Sequence, residues 1–504
     1  MSVRVFDEYD GPVEARCEVI VVGSGPGGAV VAKELAERGR DVILVEEGPP
    51  FRPRDFSDDA GETMQRMLRE AGMRVSRGKV FLPTMQAIGL GGGSLINSAI
   101  AVRPPAWVLD KWADQHGLGF DMDALAPHYA RVESFLGIAP TPEDVMGPRN
   151  LLFKKGCDAL GISSEPCPRN VRRCQGSGNC FNGCKAGAKQ YTDVSYVPAA
   201  IRHGARVFTS VRAERVVVEG HRAVGIRGRV VEPFTGAASH RVDLHATKGV
   251  VLAAGCMATP LIMQRSRGAN APQVGRNLQF HPGSALMGVY PDLVEPWRGA
   301  TQGYHSLHFL EEGFKLEVLW APAALLAVRF PGFGAAFQNQ LSRIRHMAPF
   351  DVIIAADRSS GTVRARGSSW DPDIRYDFHH EDAQRLHRGL IKIAEIMWAG
   401  GATAVIPGLH GLPPEITRDQ HHLLVDAKFT PDMPAVTCNH AFGTTRMGSN
   451  PKTSVVDDTG RCHHLDNLYV ADTGVIPGSP AVNPMHTLMA LADRTAGIMH
   501  SALA

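Results

Sequence analysis

Neither sign of charge prevails in this chain of 504 residues: 53 lysines and arginines stand against 51 aspartates and glutamates. A net charge of +2 leaves no basic footprint for nucleic acid or for an anionic membrane surface. Long apolar runs are missing as well. The most hydrophobic stretch, VLWAPAALLAV at 318–328, is 11 residues long and contains a proline, against the ~20 that a spanning helix needs. The first residues, MSVRVFDEYDGPVEARCEV, scatter acids where a secretory leader would carry an apolar core. Internal repeats and low-complexity tracts are absent. These absences lead us to expect a soluble, cytoplasmic protein with no nucleic-acid partner and no transmembrane segment. Nine cysteines, an odd number without an export signal, argue against structural disulfides. At this length two intimately joined domains are expected.

What the chain does have begins with CEVIVVGSGPGGAVVAKELAERGRDVILVEEGPP. EVIVVG reads as a buried strand, because its β-branched run is unbroken by polar residues. Gly23, Gly25 and Gly28 follow in GxGxxG spacing and open a helix with Val30, Val31 and Leu35 at helical intervals and Gly39 as its stop. A second strand, DVILVE, ends on Glu46. Each part has a chemical use. Gly23 permits a tight turn, Gly25 lets backbone approach a pyrophosphate, and Gly28 packs helix against strand. The helix N-terminus faces the anion, and Glu46 is placed for a ribose hydroxyl. The fingerprint alone leaves NAD and FAD both open. Three later segments favour FAD. In MQAIGLGGGSLINSAIAVRPP, the run Gly89, Gly91, Gly92 and Gly93 lets main chain lie against a flat or anionic ligand, with Ser94 and Asn97 offering hydrogen bonds. KGVVLAAGCMATPLIMQRS reads as strand, small-residue turn and helix, and VGRNLQFHPG follows as a polar loop.

These segments, with CNHAFGTTRMG and NLYVADTGVIPGSPAVNPMHT near the C-terminus, resemble the glucose–methanol–choline (GMC) family of FAD oxidoreductases. The matches run in family order from residue 18 to about 495. The resemblance implies an α/β fold: a discontinuous Rossmann-like FAD-binding domain at 1–110, 190–285 and 435–504. A substrate domain with a mainly antiparallel sheet and helices then occupies 111–189 and 286–434. It also implies that His440 is the active-site base and Asn483 its partner. A flavin enzyme oxidising an alcohol needs a base for the hydroxyl proton, and the unperturbed pKa of histidine, about 6.5, suits that task. His486, three residues beyond Asn483, is the competing candidate. Family position further implies that Asp472 contacts the ribityl–pyrophosphate region and that the backbone at Ala213 touches adenine. Asp472 also reads as a simple turn or helix-cap acid.

RRCQGSGNCFNGCKAGAKQ places Cys174, Cys180 and Cys184 on a glycine-rich loop, the kind of loop that wraps an iron–sulfur cluster. Some FAD sugar dehydrogenases of the family carry a three-iron (3Fe–4S) cluster on this spacing, which here implies these three cysteines as ligands. The competing readings are inert reduced cysteines, or zinc with Cys167 recruited as a fourth ligand. In the second insert, SLHFLEEGFKLEVLW and GTVRARGSSWDPDIRYDFHH alternate as antiparallel strands do, and EDAQRLHRGLIKIAEIMWAGG reads as a long helix. Phe314, Leu316, Val318, Trp320, Leu325, Leu326, Val328 and Phe330 are expected to wall an apolar pocket for a hydrophobic alcohol, with simple core packing as the alternative. The expected activity is oxidation of that alcohol to a carbonyl by hydride transfer to flavin N5. A flavin-containing lyase resembling hydroxynitrile lyases and a sugar or polyol dehydrogenase are the alternatives. The electron acceptor, whether oxygen, a quinone or a redox protein, is not encoded in these motifs.

Overall fold

The structure is a computed structural model that describes residues 3–320 and 322–503. Its larger sheet has eight strands. The order is Val3–Arg4, Arg206–Phe208, Val42–Val45, Val13–Val22, Ala238–Leu252, Arg222–Val231 and Val211–Glu219. Leu468–Val470 pairs in parallel beside the upper part of Ala238–Leu252. Pairings are parallel from Val3–Arg4 through Ala238–Leu252 and antiparallel over the last two strands. Val19–Val22 and Val42–Val45 are buried throughout, as strands of a parallel sheet covered on both faces must be.

Gly25 caps the helix Pro26–Glu37, with Pro26 in its first turn, where the missing N–H costs nothing. Gly28 lies so close to the strand that a Cβ there would stand 2.0 Å from the Gly23 carbonyl oxygen. Along the same helix packs Met485–Ala502, the last helix of the chain. This is the mixed α/β fold, with a Rossmann-like region, that the sequence leads one to expect.

A second sheet has six strands in the order Ala404–Ile406, Gly283–Val289, Met347–Ile354, Phe314–Val318, Tyr304–Ser306 and Glu165–Pro166, all antiparallel. The helix His380–Gly400 covers one face of it, with Leu386, Leu390, Ile393 and Met397 buried at helical spacing and Gly401 ending it in the left-handed region. Ser360–Arg366 and Ser369–Asp377 form a separate two-stranded hairpin.

Alternation along Phe314–Val318 decides which side chains reach ligand space. Phe314, Leu316 and Val318 are 1%, 0% and 0% exposed and belong to the core under the covering helix. They therefore pack as core and do not wall a pocket; Lys315 and Glu317 occupy the other face. Of the eight apolar residues expected to form the wall, Trp320, Leu325 and Val328 line the cavity described next. Among the described residues, no helix is long and apolar enough to cross a membrane.

Candidate active site

A cavity of about 840 Å³ takes its lining from both sheets, a volume at the large end for ligand sites. Gly23, Gly25, Pro26 and Gly27 line it, so the N-terminus of Pro26–Glu37 opens into it and presents backbone N–H groups and the positive end of the helix dipole. Glu46 and Ala213 are in the same wall. Glu46 Oε2 accepts hydrogen bonds from the Ser24 N–H at 3.0 Å and the Ser24 hydroxyl at 2.6 Å, and Oε1 accepts from Gly48 N–H at 2.9 Å. Burial pushes its carboxyl up, against the pull of these donors.

Ser24 Oγ in turn accepts from Gly91 N–H at 2.9 Å, which ties the first glycine turn to the second. The two loops touch. Gly92 has φ +51°, and a Cβ there would stand 2.8 Å from Gly25 Cα. Gly92, Gly93 and Asn97 line the cavity, and among the described residues nothing lies within 4 Å of where a Gly93 Cβ would be. Main chain is therefore bare toward the cavity. Ser94 is turned away from it: its hydroxyl donates to Gly91 O at 2.6 Å and meets Thr192 Oγ1 at 3.2 Å, so it fastens the loop. Asn97 accepts from Ala99 N–H through Oδ1 and points Nδ2 at Met485 Sδ.

Asp472 is a cavity residue whose oxygens are already engaged. It caps the short turn Thr473–Val475 through Gly474 N–H at 2.8 Å, and its other oxygen accepts from Gly255 N–H and the Thr259 hydroxyl. Burial raises its carboxyl to about 6. A bare glycine backbone, a helix N-terminus and an acid one strand away together suit a dinucleotide such as FAD.

His440 lies in the same cavity wall. It directly precedes the strand Ala441–Phe442, which pairs antiparallel with Gln279–Phe280, and that pairing brings His281 beside it. The two rings stand nearly perpendicular, with their Nδ1 atoms 3.3 Å apart, and His281 Nε2 is 2.7 Å from Ser479 Oγ. Burial lowers His440 to about 4, with the Glu317 charge opposing and the Lys315 charge adding to the effect. Burial and then the His440 and Lys315 charges hold His281 well below the usual imidazole range. Both rings are therefore neutral at neutral pH, and only one proton can lie between the two Nδ1 atoms.

Asn483 stands directly before Pro484, the residue that caps the N-terminus of the Met485–Ala502 helix. Its Oδ1 accepts from Lys315 Nζ at 2.8 Å. An ammonium only donates, so this contact fixes which end of the amide is oxygen, and the NH₂ end is left to the cavity. Lys315 is fully buried and also bonds Glu317, which accepts from Gln302 Nε2 through its other oxygen. Burial works to raise Glu317, but the adjoining ammonium outweighs it and holds the carboxyl below its ordinary range.

His486 is elsewhere. It is 1% exposed, edge-on to Tyr129, and absent from the cavity wall. His440 and Asn483 thus share one cavity while His486 is in the core. His281, Lys315, Glu317 and Gln302 are not singled out by sequence. His281 stands within the VGRNLQFHPG loop, whereas Lys315 and Glu317 alternate with apolar residues as any solvent-facing strand positions do.

The cysteine loop gives no support to the expected cluster. Cys174, Cys180 and Cys184 line a cavity of about 10 Å³, room for about one water molecule. Among the described residues, no three His, Cys, Asp or Glu side chains converge as metal ligands. Arg169 Nη2 is 3.0 Å from Cys180 Sγ. Lys189 Nζ donates to the carbonyls of Leu95, Asn97 and Cys180 at 2.7, 3.0 and 2.7 Å. The three thiols as they stand do not fit a three-iron cluster, because they do not converge and Arg169 and Lys189 line the small space beside them. Burial pushes the Cys180 thiol up, yet the Arg169 and Lys189 charges outweigh it and leave it below its ordinary range. The loop instead braces the glycine run through Lys189.

A largely parallel nucleotide sheet, joined to an antiparallel sheet across a cavity holding a histidine and an amide, defines a dinucleotide-dependent oxidoreductase. The profile of the GMC oxidoreductases matches residues 64–283 and 357–492, and that of the pyridine nucleotide-disulphide oxidoreductases matches 18–82. An uncharacterized GMC-type oxidoreductase of Mycobacterium tuberculosis is 34% identical over 497 residues, covering 97% of this chain and 77% of its own. A long-chain-alcohol oxidase of Arabidopsis thaliana is 26% identical, covering 97% and 68%. The crystal structure of pyridoxine 4-oxidase from Mesorbium loti superposes with a TM-score of 0.71 at 19% identity, over 96% of this chain and 99% of that one. The chain belongs to the GMC oxidoreductase family, with FAD as its cofactor.

Proposed function

We propose that this protein oxidises the CH–OH group of a predominantly apolar alcohol to a carbonyl, with His440 as the base and Asn483 as the orienting group. One observation carries the reading: Gly23, Gly25 and Glu46 of the nucleotide fingerprint and the His440–Asn483 pair line one cavity. FAD, when bound, supplies the hydride acceptor. Gly23, Gly25, Gly92, Gly93 and the N-terminus of Pro26–Glu37 would hold its pyrophosphate, with Gly28 allowing that helix its close approach to the sheet. Glu46 would hold a ribose and Ala213 would lie against the adenine, while Asp472 and Asn97 bound the central part. Ser94 serves by shaping the glycine run. In this reading segments 1–110, 190–285 and 435–504 bind the cofactor, and 111–189 and 286–434 face the substrate.

The chain's own side chains define the proton path. His281 donates from Nε2 to Ser479 and accepts at Nδ1 from His440 Nδ1–H. His440 Nε2 then keeps its lone pair for the alcohol proton. The Asn483 NH₂ donates to the alcohol oxygen as negative charge develops there, and Lys315 prevents the amide from turning over. Phe181, Leu319, Trp320 and Leu325 give the substrate side of the cavity an apolar wall, and one relative bears the name long-chain-alcohol oxidase. Both support an apolar substrate.

The test is anaerobic bleaching of the flavin by a panel of alcohols, with wild type and His440→Ala. The variant should reduce about 10²–10⁴-fold more slowly. Equal rates, or a wild-type flavin that no alcohol bleaches, would defeat the proposal; the latter outcome is the one a lyase of this fold gives.

A further inference from the structure

Across the antiparallel sheet, one rung sets His305, Glu317, Asp351 and Ala285 side by side on neighbouring strands. Glu317 and Asp351 both line the cavity. Their situations differ. Glu317 is satisfied by Lys315 and Gln302. Asp351 is 8% exposed, and among the described residues its Oδ1 is buried without a hydrogen-bond partner. Among the described residues no cation lies within ion-pair distance of it. A buried, unpaired carboxyl is costly, and such groups in native structures call for a function or a ligand.

What that ligand offers can be read from the neighbours. Arg329 lines the same cavity and its charge acts on Asp351. Its Nη2 serves Ser284 Oγ and the carbonyls of Ala285 and Ala435, at 3.2 to 3.3 Å. No described hydrogen bond uses its other two nitrogens. A carboxyl that accepts beside a guanidinium that donates matches a group able to do both, which is a hydroxyl. An ammonium would satisfy Asp351 but meet the like charge of Arg329. A plain alkyl chain would leave both unpaired. Burial, and then the Glu317 charge, also holds the Asp351 carboxyl well above its usual range, a penalty that a donor from the substrate relieves.

Resting on the alcohol-oxidising reading above, we propose that the substrate carries a second hydroxyl, separated from the carbon that is oxidised, which donates to Asp351 and accepts from Arg329. The preferred substrates are thus hydroxylated apolar alcohols, with the second hydroxyl about one strand spacing, ~5 Å, from the Glu317 position.

The experiment compares decanol with decanediols whose second hydroxyl is moved stepwise along the chain, and with an amino-alcohol of equal length. FAD-loaded wild type, Asp351→Asn and Asp351→Ala are each assayed by anaerobic flavin reduction. One diol should exceed decanol by about tenfold or more in kcat/KM. That ratio should shrink in Asp351→Asn and approach unity in Asp351→Ala. If no diol exceeds decanol with wild type, or if the amino-alcohol is preferred, the inference is overturned while alcohol oxidation stands. If both variants fail to fold, the wild-type ratio alone decides. If no alcohol bleaches the flavin, alcohol oxidation falls, and titration of the diols against decanol, followed by the perturbed flavin spectrum, still decides whether the second hydroxyl is recognised.

Discussion

Replacing Lys315 by methionine separates two tasks that this one side chain performs. Its ammonium, fully buried, neutralises Glu317 and holds Asn483 Oδ1 at 2.8 Å. Lys315→Met leaves a carboxylate, itself 2% exposed, with Gln302 as its remaining partner. Breaking a buried pair on one side costs about 3–5 kcal/mol, and urea unfolding of the FAD-loaded protein should show that loss. Adding Glu317→Met removes the orphaned charge. Most of the stability should return, since well-packed apolar replacements of buried pairs are neutral or stabilising by about 1–4 kcal/mol.

Activity should not return with it. The Lys315 and Glu317 charges act on His440 in opposite senses, so losing both leaves the base close to where burial sets it. The Asn483 amide, however, is free to turn over and offer oxygen to an oxygen. The double variant should therefore reduce its flavin about 10- to 100-fold more slowly than wild type, the worth of one positioned donor or somewhat less. A double variant that is stable and fully active would refute the orienting role of Lys315. A single variant as stable as wild type would refute the neutralising role of Lys315 toward Glu317.

Two further outcomes follow from the same cavity. Because burial lowers His440 to about 4, its base form persists from neutral into mildly acidic solution. The acid limb of kcat/KM for flavin reduction should fall as pH drops through about 4; a limb near the free imidazole value of about 6.5 contradicts this. Gly92→Ala puts a Cβ 2.8 Å from Gly25 Cα at a φ of +51°, and left-handed backbone costs a side chain about 1–2 kcal/mol. The purified variant should hold FAD at least about tenfold more weakly, read from flavin absorbance against protein after dilution; full occupancy would show that the two loops are free to part.

The nucleotide half was legible because its signals are local and steric. A β-branched run, three glycines and an acid define the Val13–Val22 strand, the turn and the Pro26–Glu37 helix without help from the rest of the chain. The substrate half was only partly legible. Phe314, Leu316 and Val318 announce a buried face, but period-two alternation is the same whether Lys315 and Glu317 look into bulk water or into a closed cavity. Ser94 and the cysteine loop illustrate a related limit. A polar side chain near a ligand site is as readily spent on bracing the loop as on touching the ligand, and spacing does not say which. That Cys180 meets Arg169, eleven residues before it, depends on how the glycine-rich stretch between them turns back, which spacing does not record.

The helix Met485–Ala502 starts two residues after Asn483 and runs along Pro26–Glu37, whose own N-terminus opens on the cavity. The first and last helices are thus a single mechanical part, so the backbone at Asn483 is positioned with the glycine turn, and among the described residues Lys315 alone reaches across from the other sheet to hold its amide. On the proposed reading, drift in substrate preference is free to accumulate on the antiparallel sheet, at residues such as Asp351 that line the cavity apart from His440 and Asn483.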